Sequence, residues 1–361
     1  MKTMHSGAGA IRSLTARVLD RIVAARHRTR QGIARLSPAL MAPAFMALAL
    51  GASQPGLAQA QAFPSKPVRL ILGYPAGGLT DVLARAMAQD VSKTWGQQLV
   101  VENRPGANQI IASEFVARSA PDGHTLLLVD SSAIILNPLL YSKLPYDPAR
   151  DFQPVLNLTL VPDMLVASPN FPAANLQEFL RVARERAGTV SYGTFGLGSL
   201  THVDTEAFGI LAGVKLHHIP YKGIAEVLPA LASGQIDVAL SGIPPLPGLV
   251  KQGRIKAIAL ASNRRSPAMP DVPTFAEAGG PDFDSHAWFG IVAPAGVPRP
   301  IVDRIAADLG RVIAQPAFNE KYIGGAGMEL LNHGPEQFAE TIKVDTVAYT
   351  QRVRSNNIRL D

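Results

Sequence analysis

Two glycine-rich stretches carry the residues best suited to chemistry, Gly73-Tyr74-Pro75-Ala76-Gly77-Gly78-Leu79-Thr80-Asp81 and Gly193-Thr194-Phe195-Gly196-Leu197-Gly198-Ser199-Leu200-Thr201-His202. Each lies between an apolar, strand-like run and a helical pattern. Glycine at such a junction lets the backbone approach a bound group, and the start of the helix offers free N–H groups and a partial positive charge. The chemistry this suits is holding an anion. Taken singly, either stretch also reads as a tight turn with a cap, since Thr80, Asp81 and Ser199 are capping types. As a pair, one in each half of the chain, they suit opposite walls of a cleft. Several N–H and O–H donors can then share an anion's charge without an arginine.

Catalytic arrangements fit the spacing poorly. Ser199 has no Gly-x-Ser-x-Gly context, so it reads as a cap or a ligand contact. His202, Asp204, His217 and His218 are metal-ligating types, but no His-x-x-x-His or His-Glu-x-x-His pattern joins them, and no metal or cofactor is expected. His218, beside a strand, reads as a satisfied core residue. Lys222 reads as a turn or ligand-facing lysine rather than a Schiff base. Asp237 reads as a turn or hinge residue and Trp288 as packing. No nucleophile, base and orienting group assemble, so an enzyme is not expected.

The elements that position these loops alternate as α/β units around largely parallel strands. Strand patterns cover Val68–Leu72, Gln98–Glu102, His124–Val129, Met164–Ala167, Val190–Tyr192, His217–Pro220, Ile236–Leu240, Ile255–Ala261 and Trp288–Ala293. Helical spacing covers Leu79–Trp95, with Val82, Leu83, Ala86, Met87 and Val91 on its apolar stripe. Further helices are expected to about Arg118, over about Asn175–Ala187 and Ser199–Leu211, over Ile224–Ala232, and after Pro298. The pattern restarts near Val161 and returns after Pro281. The expected organisation is therefore a leader over 1–62, a first lobe begun by 63–160 and completed by 287–361, and a second lobe over 161–286.

Charge places the leader outside the folded part. Of 34 basic and 28 acidic residues, eight and one fall before Phe63, so the remainder carries 26 and 27 and has no basic character. Nucleic-acid binding loses its support. The basic stretch to Arg35, the apolar run Ala39–Ala52 and Ala58-Gln59-Ala60-Gln61-Ala62 read as an export signal cleaved near Ala62. The run is shorter than the roughly 20 apolar residues of a membrane anchor. An Arg-rich, acid-poor leader also fits an organellar transit peptide. The absence of cysteine excludes disulfides and thiol chemistry and is compatible with a periplasmic location.

Many short stretches, in order, resemble the Bug/TctC family, the extracytoplasmic binding proteins of tripartite tricarboxylate transporters. They include Tyr74-Pro-Ala-Gly-Gly78 with Asp81, Glu102-Asn-Arg-Pro-Gly-Ala107, Pro121-Asp-Gly-His-Thr-Leu126, Gly196-Leu-Gly-Ser199 with His202, Pro220-Tyr-Lys-Gly223 and Pro270-Asp-Val-Pro-Thr-Phe-Ala-Glu-Ala-Gly279. The resemblance spans essentially Phe63 to Asp361. It implies an α/β, two-lobed periplasmic-binding-protein (Venus flytrap) fold that closes on a small carboxylate: a di- or tricarboxylate, an amino acid or an aromatic acid. It also implies a monomer that works with membrane transporter subunits or, alternatively, with a receptor kinase. Carried residue by residue, it assigns ligand binding to Tyr74, Ala76, Gly77, Gly78, Thr80 and Asp81, and to Phe195, Gly198, Ser199, Thr201 and His202. Ser131, Tyr221 and Lys222 become walls of the site. The chain departs from the family pattern at Asn108-Gln109-Ile110-Ile111, where smaller residues are usual.

Overall fold

A computed structural model describes residues 63–356 and 358–360; the leader lies outside them. In chain order the strands are β1 (Val68–Leu72), β2 (Leu99–Asn103), β3 (Thr125–Asp130), β4 (Phe152–Ala167), β5 (Ser191–Thr194), β6 (His217–Pro220), β7 (Val238–Gly242), β8 (Lys256–Ala261), β9 (His286–Pro294) and β10 (Glu329–His333). The principal helices are α1 (Leu79–Trp95), α2 (Ile110–Ala117), α3 (Leu176–Glu185), α4 (Leu200–Ala212), α5 (Ile224–Ala232), α6 (Arg299–Ile313) and α7 (Pro335–Asn356), with shorter helical turns between them.

The fold has two lobes on a curled, mixed sheet ordered β2-β1-β3-β9-β4-β7-β5-β6. The parallel pairing expected from the α/β pattern holds for the outer strands, β2-β1-β3 in one lobe and β7-β5-β6 in the other. Between them the long strands β4 and β9 pair antiparallel with each other and with their neighbours. β10 and β8 pair with β4 off this path.

Alternation within the strands explains why helices cover both faces. In β1, Val68, Leu70 and Leu72 enter one apolar cluster with α1 and α6, while Ile71 enters a second with α2 and α7. In the other lobe, Leu165 and Ala167 of β4 face a cluster built with α3, and Met164 and Val166 face one built with α5. Burying alternate residues on opposite faces makes a strand apolar throughout, which is the signature of a doubly covered sheet. Leu83, Met87 and Val91 of α1 are buried as their spacing predicts, but Val82 lies 47% exposed, at the edge of the stripe.

β4 is the principal difference from the sequence pattern. Only Met164–Ala167 reads as a strand, yet β4 runs for 16 residues from Phe152. Pro154 and Pro162 concealed it, since proline cannot donate a ladder hydrogen bond. Both are accommodated locally: Pro154 sits at a register shift against β9, and Pro162 is the last residue paired with β9 before Asp163 pairs with β7 and β8.

Candidate functional site

The first loop leaves β1 at Leu72 and enters α1 at Leu79. Gly78 is the N-cap, in extended conformation and with no side-chain cap, so the expected capping by Thr80 or Asp81 does not occur. Asp81 instead folds the loop from within. One carboxylate oxygen accepts from the Gly77 amide (2.9 Å) and Arg85 Nε (2.9 Å), the other from Asn103 Nδ2 (2.9 Å), which also reaches the Tyr74 carbonyl (3.1 Å). The Arg85 hydrogen bond, against burial and with Gly77 and Asn103 assisting, pulls the Asp81 carboxyl down to about 2. Gly77 has φ +85°, a left-handed conformation that favours glycine. With the Asp81 oxygens spent on the loop, no side chain caps the first-turn amides of α1.

Behind this loop, the Tyr74 hydroxyl donates to Asp130, and Gln109 Nε2 bonds both the Tyr74 hydroxyl (3.0 Å) and Asp130 Oδ1 (2.7 Å). Burial, then the Asp130 charge, pushes the Tyr74 phenol up, so its proton stays in place. Gln109 is left-handed (φ +68°), and its Cγ lies 2.5 Å from where a Cβ on Gly73 would stand. The departure at Asn108-Gln109 thus packs a polar side chain under the first loop. Gln109 Oε1 and the Ser131 hydroxyl, both buried, have no hydrogen-bond partner among the described residues. Asp130 carries no motif of its own, Asn103 stood within the Glu102–Ala107 stretch without a role assigned to it, and the sequence signal for Gln109 was its departure from the family pattern.

The second loop is stitched by its own side chains. Ser199 caps α4, accepting from the His202 amide (3.3 Å) and donating to the Gly196 carbonyl (2.8 Å). Thr201 Oγ1 accepts from the Phe195 amide (3.3 Å) and His202 Nδ1 from the Gly198 amide (3.1 Å). An accepting Nδ1 leaves the hydrogen of the neutral ring on Nε2. Thr194 Oγ1 lies 2.7 Å from His218 Nε2. Burial lowers both imidazoles, His218 to about 4 with His202 adding to the effect. Tyr221 bonds this loop through its amide to the Thr194 carbonyl (3.1 Å), while Lys222 is exposed in the following turn. Ala76 and Leu197 are exposed, Leu197 by 62%.

One segment links the two loops. From Asp130, at the first loop, the chain runs through Ser131 and a π-helical turn, Ser132–Leu136, to Leu140. Leu140 and Leu360 lie against Gly198 of the second loop: a Cβ there would meet their Cδ1 atoms at 2.9 and 2.7 Å. The sequence-predicted residues therefore gather in two neighbourhoods joined by this segment. One surface cavity of about 380 Å³ lies beside Arg184 and Lys215, and another of about 300 Å³ lies along the linking segment beside Ile134 and Phe152. Among the described residues no His, Asp or Glu cluster is arranged for a metal; His202 and His218 stack instead of converging. Asp237 accepts from the amide and hydroxyl of Ser191, tying β5 to β7, and Trp288 is fully buried with Nε1 on Asp345 (2.9 Å).

The family model described as tripartite tricarboxylate transporter family receptor (TctC) matches residues 83–357. A UPF0065 protein from the tcbD-tcbE intergenic region of Pseudomonas sp. (strain P51) is 34% identical over 302 residues, covering 83% of this chain and 89% of the relative. Among solved structures, an R. palustris protein with adipate is 30% identical (TM-score 0.76; 82% of this chain, 99% of that one). The periplasmic binding protein BugD is 31% identical (TM-score 0.72; 82% and 99%). MatC from Rhodopseudomonas palustris, with bound malate, is 32% identical (TM-score 0.71; 81% and 100%). With its alternating strands, paired glycine loops and crossing strands, the chain belongs to the tripartite tricarboxylate transporter receptor family, TctC.

Proposed function

We propose that this protein is a periplasmic receptor that binds a small dicarboxylate between its lobes and delivers it to membrane subunits of a tripartite transporter. The observation that carries the reading is the uncapped start of α1 at Gly78, held open by Asp81 within a family whose solved members include proteins with adipate and with malate. Free helix-start amides suit a carboxylate oxygen. The Ser131 hydroxyl, the second loop with His202 Nε2–H, and Tyr221 and Lys222 supply further donors or walls.

The lobes in this reading are 63–160 with 287–361, and 161–286, and the cleft lies between them. Export follows from the leader over 1–62. Phe63 packs on Trp95 and His124 (ring centroids 6.0 and 5.0 Å), which suits maturation just before it. No helix among the described residues is long and apolar enough to cross a membrane. The protein is expected to act as a monomer and to release its ligand unchanged.

Calorimetric titration of the chain from Phe63 with malate, adipate and a tricarboxylate tests the reading. Saturable heat with at least one of them is expected. No heat with any carboxylate, alongside binding of an unrelated ligand class, sinks it.

A further inference from the structure

Three acidic or hydroxylic side chains meet where the chain passes between the lobes. β4 crosses between Pro162, paired with His286, and Asp163, paired with Gly242 and Ala261. The return crosses between Ser285, whose amide bonds Ala261, and His286. The crossings are tied to each other by the Asp163 amide on the Ser285 carbonyl (3.0 Å). Their side chains add a second tie: Ser285 Oγ lies 2.7 Å from Asp163 Oδ2 and 2.7 Å from Asp204 Oδ2. All three residues are buried, and Ser285 and Asp204 are wholly so.

The hydrogen count decides the protonation state. A serine hydroxyl has one hydrogen, yet it makes two contacts of hydrogen-bond length to carboxyl oxygens. One carboxyl must therefore carry a proton of its own. Asp204 has the partners of an anion: Arg352 Nη1 at 2.5 Å on one oxygen and the Tyr349 hydroxyl at 3.0 Å on the other. Asp163 has no cation within ion-pair distance among the described residues. Burial raises both carboxyls: Asp163 reaches about 7, Ser285 opposing and Asp204 adding to it, while at Asp204 the Arg352 charge and the hydrogen bonds of Ser285, Arg352 and Tyr349 oppose the burial. The proton thus belongs to Asp163, which donates to Ser285 Oγ, while the serine hydrogen goes to Asp204.

We propose that Asp163, Ser285 and Asp204 form a proton-held clasp at the interlobe crossing, and that loss of the Asp163 proton loosens the arrangement of the two lobes. Without it, two carboxylates share a single hydroxyl hydrogen, and one short contact becomes lone pair against anion. The strain falls on every element that meets there. Asp204 lies on α4, whose first turn belongs to the second loop. Tyr349 and Arg352 lie on α7, and Arg352 also holds the Asp284 carbonyl (2.6 Å). His286, next in the crossing, stands within ion-pair range of Asp284 (3.3 Å) and Asp345 (3.9 Å). Burial pulls its imidazolium down, but Asp284 and Asp345 outweigh this and hold it above its ordinary value. The clasp concerns the hinge and does not depend on which ligand the cleft takes.

The test uses ligand-free protein from Phe63, as wild type and as Asp163→Asn, which keeps a donor for Ser285 and cannot titrate. Infrared difference spectra follow the carbonyl stretch of a protonated carboxyl, to which His286 contributes nothing. Small-angle scattering follows the radius of gyration, both from about pH 5 to about pH 9. In wild type the band is expected to vanish, and the radius to grow, as pH rises through about 7; in Asp163→Asn neither changes. A wild-type spectrum without the band at the acid end overturns the proposal. So does a band that titrates with no change in radius, or a radius that changes equally in both proteins. If Asp163→Asn does not fold, Ser285→Ala removes the acceptor but keeps the carboxyl. Its band is expected to shift in frequency, and an unshifted band overturns the clasp.

Discussion

His202 and His218 stack ring on ring, centroids 4.1 Å apart and planes 11° from parallel, with Tyr192 on the far face of His218 at 4.9 Å. The stack joins the second loop to β6 and favours neutral rings, because burial disfavours the charged form and two imidazolium ions at that distance repel.

The sign of the pH effect follows. His218 is lowered to about 4 in the folded chain from 6.5, so on acidification the unfolded chain takes up a proton first. The contribution is intact above about 6.5 and is lost as pH falls toward 4. Because the ring is only partly buried, the loss is about 1 to 2 kcal/mol. Thermal melts of wild type and His218→Gln across this range should converge at the acid end. Parallel curves would refute the assignment.

Gly78→Val should separate folding from binding. Gly78 has φ −76°, and the nearest atom to an added Cβ is the Pro75 carbonyl oxygen at 3.7 Å, so the fold has room for a side chain. The expected stability change is within about 1 kcal/mol, the cost of a poorer N-cap. Calorimetry with malate or adipate should show binding lost, because the branched side chain covers the helix-start amides. Full affinity in a folded Gly78→Val protein would remove the first loop from the site.

Ser199→Ala removes a cap and a loop tie together. Stability in urea is expected to fall by about 1 kcal/mol, and ligand affinity by roughly tenfold, as Gly196 and the His202 amide lose their shared partner. Since the hydroxyl already serves its own loop, a stability loss with unchanged affinity would assign it to architecture alone.

Asp81→Ala leaves the Gly77 amide and the Asn103 side chain without their acceptor. The Arg85 ion pair, half exposed on the arginine side, is partly screened by solvent, so the expected loss is about 2 kcal/mol, shared between that pair and the two hydrogen bonds. The Asp81 carboxyl is depressed from 3.8 to about 2, so its contribution is present above about 4 and disappears as pH falls toward 2. Urea midpoints of wild type and variant, compared at neutral and acid pH, check both statements.

The sequence was most legible where chemistry is local. Periodicity locates α1 at Leu79–Trp95, because the helix buries its own apolar stripe, and β6 at His217–Pro220, although that edge strand buries none of its residues fully. Both loops were visible because glycine and hydroxyl residues cluster within ten positions. β4 was hidden by Pro154 and Pro162, whose cost depends on whether a partner strand needs their missing N–H, a tertiary fact. Asp163, Asp204, Ser285 and Tyr349 come together from four distant places, and no spacing rule links them. Gln109 stood out as a departure, but its left-handed backbone and its place under Gly73 follow only from packing.

The course of β4 and β9 also sets an order on synthesis. β1, β2 and β3 leave the ribosome before the other strands, yet the free edge of β3 is paired only by β9, and the cluster on one face of the sheet is completed only by α7. The lobe that begins first is therefore finished last, after the whole of the other lobe has emerged. A chain cut before Pro335 keeps every strand but leaves Ile71, Val129 and Trp288 without Phe338, Tyr349 and Val353 above them. Such a fragment exposes a continuous apolar face, a surface for chaperones and proteases, and the C-terminal helix is the segment whose arrival ends that exposure.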